Sequence, residues 1–155
     1  MRPLVPVAAE MLTTALSLLV AGTLGLVLAA ALGAGWIWVA GGLVVSAFLA
    51  LAVGRSREAA APAATDVVGP DEPVEPARRT ALRAACFGVI ALVVVAGLAV
   101  VARAVGYADA GAVVAGAPVA LAAQYLGGWR RAVRVEQREG LLLRHRGREI
   151  VYQRR

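Results

Sequence analysis

Four stretches of this chain are apolar and carry no charge from end to end, and polar segments separate them. They are Met11–Leu32, Trp36–Val53, Ala84–Ala102 and Ala110–Leu126. As helices rising about 1.5 Å per residue, these runs reach ~26–33 Å, close to the ~30 Å hydrocarbon core of a bilayer. They lack the period-two alternation of barrel strands, and a single open-ended segment satisfies its own backbone in lipid only as a helix. The pattern predicts an all-α integral membrane protein of four transmembrane helices arranged as two antiparallel hairpins. "GAG" at Gly33–Gly35 supplies the tight turn of the first hairpin and sets Trp36 and Trp38 at an aromatic interface. "RAVGYADA" joins the second pair, with Tyr107 at the interface and Asp109 as N-cap of the last helix.

The segments between the runs differ in kind. Residues 1–53 form the first hairpin and 84–126 the second. The intervening 54–83 holds four of the seven prolines and both signs of charge. Its part Thr65–Pro76, "TDVVGPDEPVEP", has too little apolar surface to order itself and reads as a disordered cytoplasmic linker. Small residues spaced four apart (Ala21/Gly25, Gly111/Ala115, Ala112/Gly116) favour close helix packing, and Pro118 should kink the fourth span. The first run is longer than the ~7–15 residues of a signal-peptide core, so it reads as an uncleaved span.

Residues 127–155 form a basic tail, "GGWRRAVRVEQREGLLLRHRGREIVYQRR". Trp129–Glu139 can continue the fourth helix past the membrane. After Gly140, "LLLRH" and "REIVY" flank Arg146–Gly147 as a β-hairpin turn. That turn pairs Arg144 with Glu149, Leu143 with Ile150, Leu142 with Val151 and Leu141 with Tyr152. An isolated two-stranded hairpin is marginal in water, so a membrane surface, a second copy or another protein should complete it. Trp129, Arg130, Arg131, Arg134, Leu141, Leu143, Arg144, Ile150 and Tyr152 are therefore the candidate contacts to anionic lipid headgroups, a protein partner or a homo-oligomer.

Charge fixes the expected orientation. Only 17% of residues are charged, against about a quarter in soluble domains, and all sixteen basic residues are Arg. Arg-only basicity with abundant Ala and Gly suggests a high-G+C bacterial source. Nine Arg lie in the tail, five in the central segment and one at Arg2, leaving Arg103 alone on the other side. The positive-inside rule then gives a bacterial inner-membrane protein with both termini cytoplasmic. Topology accounts for the Arg, and only Trp129 and Tyr152 offer stacking surfaces, so nucleic acid is not expected as a partner.

Chemical motifs are sparse. The one cysteine, Cys86, heads an apolar run and reads as a small buried thiol; His145 is the only histidine. Neither a metal cluster, a cofactor loop nor a Ser-His-Asp set can be built from these residues, so no enzyme activity is expected. Thr13, Thr14, Ser17, Gln124 and Tyr125 read as polar glue between helices.

Glu10 is the one candidate transport residue. Its phrase, "PVAAEMLTTALS", resembles the first helix of the small multidrug resistance transporters over about ten residues. The resemblance implies a Glu that serves as a shared proton and cation site. The long central segment and basic tail depart from that family. Because Met11–Leu32 is already long enough to span, Glu10 falls at headgroup level, where a carboxylate in a first helical turn complements the dipole. The reading is an accessory or structural membrane protein docking through its tail; the alternative is a small proton-coupled transporter using Glu10.

Overall fold

A computed structural model describes residues 4–58, 66–69, 72–146 and 149–153. The described chain is mostly helical. Its helices are α1 (Val7–Ala31), α2 (Trp36–Glu58), α3 (Ala77–Ala104) and α4 (Ala108–Glu139). Short strands β1 (Val5–Pro6), β2 (Asp66–Val68), β3 (Leu142–Arg146) and β4 (Glu149–Gln153) complete it. Among the described residues α1, α3 and α4 are long and apolar enough to cross a membrane, and α2 is apolar over Trp36–Phe48. Large aliphatic side chains such as Val20, Val27, Ile37, Val44, Ile90 and Val93 cover the outside of the bundle. An apolar surface of that extent suits lipid, and the chain is a multi-pass membrane protein.

Small residues set how the helices meet. Helix α4 packs on α1, α2 and α3, whereas α1 and α2, although joined by a tight turn, scarcely touch. The first hairpin is thus split by α4 rather than packed on itself, because the smallest surfaces face α4. A methyl added to Gly42 would lie 2.7 Å from the Ala112 carbonyl oxygen, and one on Gly116 would lie 2.6 Å from that of Gly42. At this crossing the Ser46 hydroxyl lies 2.6 Å from the carbonyl oxygens of both Gly42 and Gly116, sharing its proton between the helices. Gly25 meets Val95 and Ala115, and Gly111 meets Ala99, so both of these small-residue pairs also lie at helix contacts.

The expected polar glue behaves differently. Thr13 donates to the Ala9 carbonyl at 2.8 Å and Ser17 to that of Thr13 at 3.0 Å, both within α1. A hydroxyl that shares the carbonyl four residues back in its own helix needs no second helix. Asp109 does not cap α4; its Oδ1 accepts the Gly35 N–H at 2.8 Å, tying the α1–α2 turn to the start of α4. Cys86 is exposed on α3 rather than buried, since in a membrane protein the apolar side of a helix also faces outward.

A four-stranded sheet in the order β1-β3-β4-β2 lies at the opposite end of the bundle. Helix α4 runs on to Glu139 and stops at Gly140, whose φ of 66° is the left-handed value that ends helices. The hairpin follows, and its register differs from the expected one. Arg146 pairs with Glu149, His145 with Ile150, Arg144 with Val151 and Leu143 with Tyr152. The connection therefore falls at 147–148, outside the described residues. Every side chain keeps its expected face, because pairing moved by an even number of positions. The outer strands pin this register: β1 sets Val5 opposite His145, and β2 runs parallel to β4 with Asp66 opposite Val151. Asp66–Val68 is thus a strand where a disordered linker was expected, and Leu4 bridges Val74 through backbone bonds to Pro73 and Glu75. Arg146, expected in the turn, instead ends β3, while Gly147 and residues 59–65 lie outside the described residues.

Two glycine substitutions separate packing from helix propensity. Gly116→Leu should force α2 off α4 and lower stability by about 1–3 kcal/mol. Gly97, with nothing within 4 Å of an added methyl, should tolerate Ala with a gain of up to ~1 kcal/mol. Thermal unfolding in detergent measures both.

Candidate functional site

The sheet brings together residues that are distant in sequence at the end of the bundle. One of its faces packs on α1 and α4, where Val7, Ala132 and Leu143 form a buried cluster flanked by Met11, Val135, Ile150 and Tyr152. On the other face Leu4, Val68 and Val151 pack together. The Leu143 N–H donates to Glu136 Oε1 at 2.9 Å, fastening β3 to the last turns of α4. The chain's own segments therefore complete the hairpin.

At this junction Glu10, in the first turn of α1, meets the only histidine. His145 Nδ1 stands 3.0 Å from Glu10 Oε2. An ionised carboxylate only accepts, so Nδ1 carries the proton. Nearby, Glu75 is buried and pairs with Arg83, whose own side chain is largely exposed. Glu10 and Arg83 share a cavity of about 210 Å³ with Thr14, Thr80, Ala84, Phe87 and Tyr125. The Thr80 hydroxyl is buried and has no hydrogen-bond partner. Such an orphan costs about 1–3 kcal/mol relative to a satisfied one. Residues of both charge signs, two threonines and two aromatic residues thus line one small chamber.

The tail residues distribute around this site. Arg130, Arg134 and Arg138 are exposed along the part of α4 beyond its apolar run, and Trp129 and Arg131 are half-buried. Arg144 lies on the sheet, its Nε donating to Gln153 Oε1 at 2.9 Å. Partial burial pulls its guanidinium below the usual arginine value, and the Glu136 carboxylate opposes that shift. Leu141 and Ile150 are half-buried and Leu143 is buried, so the apolar side chains of the hairpin are largely taken up inside the molecule. Among the described residues no three of His, Cys, Asp and Glu come together as a metal site.

Sequence reasoning found Glu10 and missed its surroundings. His145 read only as an isolated residue, Arg83 only as a topological charge, and Thr80 not at all. The available signal was slight: Glu75 and Arg83 bracket the first turns of α3 with opposite charges. No protein-family model matches the chain, and neither the curated proteins nor the solved structures contain a match.

The Glu10–His145 contact is open to measurement. With side chains 37% and 29% exposed, the pair should couple by no more than ~1 kcal/mol. A double-mutant cycle of Glu10→Gln and His145→Gln in thermal unfolding gives that coupling directly. Both single variants should remain folded.

Proposed function

We propose that this chain is a small four-span inner-membrane protein with both termini and the central segment in the cytoplasm. It acts as an accessory or structural partner in a membrane assembly, docking through its basic end. The observation carrying this reading is that β1, β2 and the β3–β4 hairpin belong to one sheet. The three segments bearing Arg2, the central five Arg and the tail's nine Arg therefore meet at one end, and Arg103 closes α3 at the other. Membrane insertion favours that basic end on the cytoplasmic side.

The length of α4 supports a projecting contact surface. Its 32 residues extend ~48 Å, well beyond a ~30 Å hydrocarbon core. Arg130, Arg134 and Arg138, spaced four apart, share a face of the projecting part. Near anionic headgroups each Arg contributes about 1 kcal/mol, screened as salt rises. Because the hairpin's apolar residues are engaged internally, this arginine face is the better docking surface for an acidic protein partner. The pairing of Glu10 with His145 at the end of the bundle weighs for this role over proton-coupled transport through Glu10.

Labelling in a Cys86→Ser background tests the topology. A membrane-impermeant thiol reagent applied from outside should modify Val105→Cys and spare Gln137→Cys; the reverse pattern overturns the orientation. A photo-crosslinker at Gln137 tests the role. It should give a protein adduct that Arg134→Glu abolishes, and adducts with lipid alone would sink the docking reading.

A further inference from the structure

We propose that the chamber between α1, α3 and α4 binds the headgroup of an aminophospholipid, the ammonium at Glu10 and the phosphate at Arg83 and Thr80. Size sets the first limit. A cavity of about 210 Å³ far exceeds the ~10–15 Å³ that admits a single water, yet falls short of the ~300–1,000 Å³ of sites for whole drug-sized molecules. A headgroup-sized fragment suits it.

The lining chemistry sets the second limit. Glu10 uses one oxygen on His145, and a carboxylate has about four lone-pair positions, so its second oxygen can take an ammonium. Arg83 meets Glu75 through Nη2, while a guanidinium carries five donors in a fork suited to phosphate. Thr80 is 3% exposed and its hydroxyl lacks a partner; a phosphate oxygen would satisfy it. An anionic lipid would meet Glu10 unfavourably, and a simple cation would meet Arg83. A zwitterion with ammonium and phosphate a few bonds apart answers both.

Position supplies the third limit, and it rests on the membrane reading of the helices, though not on which side the sheet faces. The cavity lies where the apolar runs of α1 and α3 begin, at Met11 and Ala84. Phe87 lines it and is also 45% exposed on the outer surface. A headgroup seated inside can therefore leave its acyl chains along α3, beside the exposed Ile90 and Val94.

Full-length protein, delipidated in mild detergent, provides the test by native mass spectrometry and thermal unfolding. The probes are dioleoyl phosphatidylethanolamine, phosphatidylglycerol, phosphatidylcholine and soluble phosphoethanolamine. Phosphatidylethanolamine should be retained longest and raise Tm most. Thr80→Val should raise the Tm of lipid-free protein, by removing the orphan hydroxyl, yet weaken phosphatidylethanolamine retention about tenfold, or ~1.4 kcal/mol. Glu10→Gln should erase the preference over phosphatidylcholine, while His145→Gln should keep it. Unchanged retention in Thr80→Val, or equal retention of phosphatidylglycerol, overturns the proposal. Equal stabilisation by soluble phosphoethanolamine overturns the lipid as the source. The labelling experiment above reads orientation separately, so the two readings fail independently.

Discussion

The two open edges of the β3–β4 hairpin govern how one end of this molecule is built. Unpaired strand edges leave backbone donors and acceptors without partners, and a two-stranded hairpin alone is marginal. Here the start of the chain pairs with β3 and a piece of the central segment pairs with β4. Once those edges are filled, the sheet has a definite register and its apolar face settles on α1 and α4. His145 is then held next to Glu10, one of the residues that line the chamber between α1, α3 and α4. The contact between Glu10 and His145 is a by-product of closing a sheet.

The helical half obeys a different constraint. Lipid gives apolar side chains no reason to prefer the inside, so close backbone approach takes over as the organising force. Helix α4 offers Gly111, Ala112, Ala115 and Gly116 in succession around its first turns, which lets three helices approach it at once. Ser46 adds a hydroxyl that bonds across to α4, a link possible only because no side chain intervenes at Gly42 and Gly116.

These two constraints explain what the sequence made legible. Apolar runs, the extension of the last helix to Glu139 and the faces of the hairpin are local patterns, and they could be read directly. Asp66–Val68 could not, since a three-residue strand has no signature until a partner strand is placed beside it. Nor could the hairpin register, which the outer strands decide. Cys86 was misjudged because apolar surroundings in sequence do not distinguish protein interior from lipid-facing surface. Of the candidate site, Glu10 stood out by its rarity, but its partner lies 135 residues away, and the Thr80 hydroxyl becomes notable only when nothing is found to bond it.

The sheet also imposes an order on synthesis. Its first strand is made well before the strand it pairs with. At roughly 5–20 residues per second, the 135 residues between Glu10 and His145 take ~7–27 s to make. Until β3 and β4 are made, β1 and β2 have no hairpin to join, although all four helices precede them in the chain. A chain that stops short of β3 would keep its helices and leave that end open. The β3–β4 hairpin thus acts as a seal, and only a chain that carries it can set it.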